Sequence, residues 1–447
     1  MVNLRPYQTR AVEQLRKAYV DGHGGALLEL GTGAGKTVTA VAVCAGVVAA
    51  GGRVVWLAHR RELVAQAEAC MRSAGLGPAL PSRLVYCATV QSRLPVDLPE
   101  PTVLVIDEGH RALSSSYRAV IVRWPNAFRV LLTGTAWRSD GASFEQVAPV
   151  VVKGPTVGEL QAEGWLVPCS YWSVPGADLS GLRKSGGDFR AADVAAALDR
   201  PGLVGDVAAT YVRLAQHRFG VVFAAGVDHA HHLTAELRRQ GVHAAALSGE
   251  TSKATRAELL AGHGAGFGGP SVLVCADLLL EGWDNPVVSA VVFARATASN
   301  IVWRQGIGRG LRLSPGKDDC LVIDHGGNCG RLGLVDEPLD YDATTGRARA
   351  RCEGIGLLTC EQCFAVLPST PRPVTCPRCF AVLPRPAVRG MDGGRAGDLV
   401  PFEASGAKRK PMDWQLWRRI EAERTARGYR PGWTWAQYGF RSQVWHG

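Results

Sequence analysis

Gly31-Thr32-Gly33-Ala34-Gly35-Lys36-Thr37 is the stretch from which the rest of this 447-residue chain is read. It follows an apolar run, Ala26-Leu27-Leu28-Glu29-Leu30, that reads as a strand, and it opens a second run, residues 38–50, that reads as a helix. Strand, glycine-rich turn and helix in that order make a phosphate cradle. Glycines let backbone N–H groups close around the anion, and the helix N-terminus adds partial positive charge. Lys36 then reaches the outer phosphates, and the Thr37 hydroxyl ligates Mg²⁺. The strict pattern G-x-x-x-x-G-K-[ST] asks for glycine at position 30, where this chain has Leu30. A plain glycine-rich turn before a helix is therefore the competing reading.

The composition is that of a globular protein, with 47% hydrophobic and 20% charged residues. The length allows two core domains with smaller appendages. A formal net charge of +10 favours a polyanionic partner. Met1-Val2-Asn3-Leu4-Arg5-Pro6 has no apolar core of a signal peptide, and no run is long enough to span a membrane, so a cytoplasmic protein is expected. Eight of the twelve cysteines are scattered singly through apolar segments, which fits small buried hydrophobes in a reducing compartment.

Arg5-Pro6-Tyr7-Gln8 precedes a helical pattern with Val12, Leu15 and Tyr19 on one face. Residues 53–57, 84–87, 102–106 and 129–132 read as strands, with a helix at 60–73. Short apolar strands alternating with amphipathic helices predict a parallel α/β sheet, since parallel strands need crossovers. Residues 149–218 are looser and read as a connection with a helix at 203–217. A second series follows, with strands at 221–224, 272–275, 287–293 and 320–323 and a helix at 229–240.

A phosphate loop needs an acidic partner at a neighbouring strand end, and Val103-Leu104-Val105-Ile106-Asp107-Glu108-Gly109-His110 supplies one. Asp107 would hold the Mg²⁺ shell and Glu108 would orient or deprotonate the attacking water. The second series ends in Gln305-Gly306-Ile307-Gly308-Arg309-Gly310-Leu311-Arg312. Spaced three apart, Arg309 and Arg312 share a face if they lie on a helix, and two guanidiniums can stabilise charge on a transferring phosphoryl group. A solvated turn and a solvated basic helix end are the plainer alternatives.

Taken together, these elements resemble the superfamily 2 helicases and translocases over most of residues 1–330. Arg5 and Gln8 resemble that superfamily's adenine-reading element, and residues 30–37 its motif I, which often lacks the first glycine. Ala58-His59-Arg60-Arg61-Glu62-Leu63 resembles motif Ia, and Ala88-Thr89-Val90-Gln91-Ser92 the next nucleic-acid element. Asp107-Glu108-Gly109-His110 resembles motif II in its DExH form, Thr133-Gly134-Thr135 motif III and Val222-Phe223 motif IV. Residues 277–286, with Glu281-Gly282-Trp283-Asp284, resemble motif V, and residues 305–312 motif VI. The resemblance implies two RecA-like domains with ATP between them. It implies nucleotide contacts from Arg5, Gln8, Gly31, Thr32, Gly33, Ala34, Gly35, Lys36, Thr37 and Asp284. Mg²⁺ would sit on Thr37 and Asp107, with Gln305, Arg309 and Arg312 acting from the second domain.

The remaining four cysteines form Cys360-Glu361-Gln362-Cys363 and Cys376-Pro377-Arg378-Cys379, each followed by Phe-Ala-Val-Leu-Pro. Two matched C-x-x-C knuckles suit a tetrahedral structural zinc site; a redox role is the alternative, without a thioredoxin-like context. From residue 385 onward there are twelve Lys/Arg against six Asp/Glu. That tail places Trp414, Trp417 and Ile420 on one helical face among arginines, which reads equally as a docking helix or a nucleic-acid contact. Zinc knuckles followed by this tail resemble the RadD family of bacterial DNA-repair helicase-like ATPases.

The expected architecture is a RecA-like domain at 1–155, a connection and second RecA-like domain at 156–345, a zinc module at 346–385, a linker at 386–411 and a tail at 412–447. The expected activity is ATP-driven movement on single-stranded or branched DNA in repair or recombination. A single-strand-binding protein or a recombinase is the candidate protein partner. An ATP-switched recombination accessory protein that unwinds nothing, and an RNA helicase, are the alternatives.

Overall fold

The computed structural model describes residues 3–80, 84–134, 143–173, 181–265, 269–280, 282–337, 357–369 and 373–383, with short pieces at 341–342, 347–348, 419, 422–423 and 425–426. Helix α1 (Pro6–Val20) starts with Pro6 in its first turn, where a missing N–H costs nothing. It buries Tyr7, Gln8, Ala11, Leu15 and Ala18. The buried face is therefore rotated from the expected one, and Tyr19 is 50% exposed. Then come β1 (Gly25–Glu29), α2 (Lys36–Ala49), β2 (Val54–Ala58), α3 (Arg61–Met71), β3 (Val85–Thr89), β4 (Val103–Ile106), α4 (Ser115–Arg123), β5 (Phe128–Thr133) and β6 (Val150–Lys153). These strands form one parallel sheet in the order β3-β2-β4-β5-β1-β6. Every residue of β2 and β4 is buried, as expected where helices cover both faces of a parallel sheet.

The looser stretch between the two strand series holds more structure than its sequence announces. Besides β6 it forms α5 (Val157–Ala162), β7 (Cys169–Ser173), a short hairpin of β8 (Lys184–Ser185) and β9 (Asp188–Phe189), α6 (Ala191–Leu198) and α7 (Pro201–Ala215). The second lobe continues with β10 (Gly220–Phe223), α8 (Val227–Arg239), β11 (Ala244–Leu247), α9 (Lys253–Gly262), β12 (Val272–Cys275), β13 (Ala290–Phe293), α10 (Asn300–Gly308), β14 (Cys320–Asp324) and α11 (Asn328–Leu332). Its six-stranded parallel sheet runs β11-β12-β10-β13-β14-β7. The edge strand β7 thus pairs with β14, about 150 residues further along the chain.

Beyond this sheet, Leu357–Thr359 pairs antiparallel with Val366–Pro368, and the cysteine module packs on the outer edge of β7. The chain divides into two compact units, Met1–Leu383 and Pro384–Gly447. In the second unit only short helical pieces are described, so the linker and the expected Trp414–Trp417–Ile420 face lie outside the described residues. Among the described residues no helix is long and apolar enough to cross a membrane.

Candidate nucleotide site between the two lobes

β1 delivers the chain into the glycine loop with Leu30 fully buried and its N–H bonded to the Thr133 carbonyl. An apolar side chain at position 30 is therefore part of the core. Gly33 and Gly35 have φ of 85° and 83°, in the left-handed region that favours glycine. Gly35 is the N-cap of α2, and with no side chain capping it the first-turn N–H groups face a ligand. Those first-turn donors and the acidic pair at the end of β4 together fit a nucleoside triphosphate carrying a divalent cation.

Lys36 donates to the Leu30 carbonyl at 3.4 Å. Burial lowers its pKa, while Glu108 and Asp107 work in the other direction. Glu108 is held in a left-handed conformation (φ 52°, ψ 57°), and its N–H bonds to Asp107 Oδ1 at 2.9 Å. Its carboxylate meets His110 Nδ1 at 3.3 Å and accepts from Gln305 Nε2, across the cleft, at 3.2 Å. Burial raises the Glu108 pKa, but the His110 hydrogen bond and the charges of Lys36, His110 and Arg309 outweigh it and hold the group at about 2. Thr32, Glu108, His110, Gly134 and Gln305 line one small cavity here. A Cβ on Gly308 would collide with the Thr32 side chain, so α10 of the second lobe touches the glycine loop directly.

The arginines depart from the expected placement. α10 ends at Gly308, so Arg309 lies on the C-terminal cap and Arg312 beyond it, and the two do not share a helical face. Arg309 donates to the carbonyls of Leu280 and Trp283, and Arg312 Nη1 lies 2.8 Å from Asp284 Oδ1. Both guanidiniums thus grip the segment at 280–284 of their own lobe. Both still lower the Lys36 pKa from across the cleft. Asp284, expected at the nucleotide, is paired with Arg312 here.

The adenine-reading pair has other work too. Gln8 accepts from the Arg5 N–H at 2.9 Å and donates to the Ala34 carbonyl at 3.0 Å, so its carboxamide fastens α1 to the glycine loop. Tyr7 donates to the same carbonyl at 2.8 Å. The Arg5 guanidinium bonds Tyr7 Oη and lies 4.7 Å from the centre of the Trp165 ring. Trp165 is a member of this neighbourhood that no sequence pattern indicated. The same is true of the Glu108–Gln305 bond, although His110 stood within the acidic motif. Thr135 and Glu281 lie outside the described residues.

In the cysteine module, the Sγ atoms of Cys360, Cys363, Cys376 and Cys379 all lie within 4.8 Å of one another. Cys360–Cys379 and Cys363–Cys376 are each 3.6 Å apart. Zinc–thiolate bonds of about 2.3 Å in a tetrahedron separate sulfurs by roughly 3.8 Å, so the four thiolates fit Zn²⁺.

Comparison with known proteins agrees with this geometry. The family described as type III restriction enzyme, res subunit, matches residues 1–81, and helicase conserved C-terminal domain matches residues 207–314. A 51.5 kDa protein of a Lactococcus phage (isolate 7-9) is 29% identical over 309 residues, covering 69% of this chain and 67% of its own length. The putative ATP-dependent helicase IRC3 of Saccharomyces cerevisiae is 26% identical over 63% of this chain, which spans 44% of the yeast protein. A fragment of a putative HsdR subunit of a type I restriction enzyme from Vibrio vulnificus has the same fold at 20% identity, with a TM-score of 0.56 over 74% of this chain and 67% of its own. The type ISP restriction-modification enzyme LlaBIII, solved bound to DNA, gives a TM-score of 0.52 at 16% identity, over 72% of this chain and 27% of its own. Two helicase-type lobes around one phosphate loop define the class: the chain is an ATP-hydrolysing, helicase-like protein of superfamily 2.

Proposed function

We propose that this protein is an ATP-driven DNA motor, a helicase or translocase of the RadD-like repair and recombination type. The observation that carries the reading is the bond from Gln305 to Glu108, because it ties the hydrolytic carboxylate of one lobe to the other. A site that is complete only when the lobes meet converts each turnover into opening and closing. Thr37 and Asp107 would hold Mg²⁺, which would supply charge neutralisation on the phosphates. Lys36 and the first-turn N–H groups of α2 bind the phosphates, while Gln8 and Tyr7 hold the loop in shape. Glu108, ionised and oriented by His110 and Gln305, accepts the proton of the attacking water. Arg309 and Arg312 leave the carbonyls and the carboxylate at 280–284 to meet the charge that develops on the transferring group. Motion of that segment then accompanies each cycle.

The stretches resembling motifs Ia and V run out from the carboxyl ends of β2 and β12, and the one resembling motif IV is the end of β10, on the side where parallel sheets bind ligands. Arg60 and Arg61, just after β2, suit a phosphate backbone lying along that side. DNA is preferred to RNA because LlaBIII, of the same fold, was solved on DNA. The module of Cys360, Cys363, Cys376 and Cys379 is assigned a structural Zn²⁺.

ATP turnover measured with single-stranded DNA, duplex DNA and RNA tests the reading. Stimulation by DNA supports it, stimulation by RNA alone redirects it, and no response to any polymer rejects it. A forked-duplex assay separates unwinding from an ATP-switched accessory role. Elemental analysis of freshly purified, reduced protein should find about one zinc per chain.

A further inference from the structure

The cysteine module is built twice from nearly one sequence. Leu358-Thr359-Cys360-Glu361-Gln362-Cys363-Phe364-Ala365-Val366-Leu367-Pro368 and Val374-Thr375-Cys376-Pro377-Arg378-Cys379-Phe380-Ala381-Val382-Leu383-Pro384 differ at three of eleven positions. Both copies fold alike. Phe364 N–H bonds the Cys360 carbonyl at 2.7 Å and Phe380 N–H the Cys376 carbonyl at 2.9 Å. Cys360 N–H bonds the Ala365 carbonyl at 2.9 Å and Cys376 N–H the Ala381 carbonyl at 2.8 Å.

Their surroundings differ. The first knuckle is docked: the Phe364 carbonyl accepts from Ser173 N–H, Ala365 pairs with Trp172, and Leu358, Phe364 and Val366 are all half-buried. In the second knuckle the equivalent Val374, Phe380 and Val382 are 70%, 78% and 76% exposed. Among the described residues the same apolar face is therefore built twice and covered once.

Backbone conformation is common to the two copies. Among the described residues only Glu108, Phe364 and Phe380 are non-glycines with positive φ. Glycine adopts that region freely and a bulky L-residue resists it. Both knuckles adopt it with the same backbone hydrogen bonds, so the conformation belongs to the knuckle itself. At Phe380 the ring it directs stands in solvent. The sequence that carries it is basic. Pro377-Arg378 replaces Glu361-Gln362, and residues 364–390 contain four arginines with no aspartate or glutamate.

We propose that Phe380, flanked by Val374 and Val382, is a stacking platform for an unpaired base of single-stranded nucleic acid. The inference rests on the motor reading above. A π-face in an arginine-rich, acid-free segment matches a polymer that carries a base and a phosphate at each step. Arg378 donates to Ser170 Oγ at 3.1 Å and lies 5.1 Å from the centre of the Trp172 ring, so it also fastens this knuckle to β7. The knuckle is anchored to β7 of the second lobe, so a base held there would travel with that lobe.

The test uses the full-length protein with Phe380→Ala, Phe380→Asn (a residue at ease in the left-handed region) and Phe380→Trp. Binding to a labelled oligo(dT) strand should weaken about tenfold in the Ala and Asn variants and persist in the Trp variant. Metal content and DNA-free ATP turnover should match wild type in all three. A photoreactive 5-iodouracil strand should crosslink at Phe380. Unchanged oligo(dT) affinity in both the Ala and Asn variants overturns this site while leaving the motor reading standing. Loss of metal in both would overturn it equally, by showing a structural role. Wild-type protein that binds no nucleic acid at all would overturn the motor reading together with this one.

Discussion

The two lobes are six-stranded parallel sheets, yet they treat the start of a helix after an internal strand in opposite ways. In the first lobe, six residues separate β1 from α2, two of them glycines with positive φ, and the first turn of α2 has no acidic residue. In the second, three residues separate β10 from α8, Gly226 is extended, and Asp228 occupies the first turn. An acidic group there satisfies the positive helix end from within. One helix is left ready for an external anion and the other supplies its own. The first lobe thus presents the phosphate-type loop, whereas the second reaches it through Gln305 and, in the proposed reading, through Arg309 and Arg312.

Lys36→Ala should remove measurable ATP turnover with the fold intact, since Lys36 is the cation that the glycine loop itself presents. A variant that still turns over at the wild-type rate would end the division of labour described above. Arg309→Lys keeps the charge but loses the planar fork to the Leu280 and Trp283 carbonyls. Turnover should fall by about 10³-fold with ATP binding retained, as expected for a phosphoryl-contacting arginine. Equal losses of binding and turnover would instead assign it to nucleotide capture.

His110→Ala tests the electrostatics of Glu108. That carboxyl is depressed to about 2, so its ionised form contributes stability above its unfolded value, a contribution lost as pH falls through the folded pKa. Removing His110 removes its strongest acid-lowering contact, so the acid limb of the pH–turnover profile should move upward; a limb that stays in place would contradict the assignment. Asp228→Ala should cost only about 0.3–1 kcal/mol of stability and leave turnover unchanged. A fall in turnover would show that α8 also faces the nucleotide.

Much of this was legible in the chain because the decisive elements are local. A buried strand, a glycine turn, a Lys-Thr pair and an acidic strand end announce themselves within about ten residues, and both C-x-x-C pairs do the same. What was hidden depends on distant partners. β7, Cys169-Ser170-Tyr171-Trp172-Ser173, is half-buried and mixed in polarity, and becomes a strand by pairing with β14. β11 includes Ala244-Ala245-Ala246, whose intrinsic preference is helical, yet it lies beside β12 because the sheet requires it. The expected helical face for Arg309 and Arg312 failed because α10 stops at Gly308. Trp165 meets Arg5 only after some 160 residues of intervening chain, a contact that no local pattern encodes.

The pairing of the first cysteine knuckle with β7 has a consequence for solubility. β7 is the last strand of its sheet, and an open edge offers unpaired N–H and C=O groups to any other extended chain. Ser173 N–H is bonded by Phe364 and Trp172 is bridged to Ala365, so the module closes part of that edge. With Zn²⁺ held as proposed, chelating it would loosen the closure and expose a strand that carries a tryptophan. Self-association, visible by light scattering, should then precede any loss of nucleotide binding in the distant cleft.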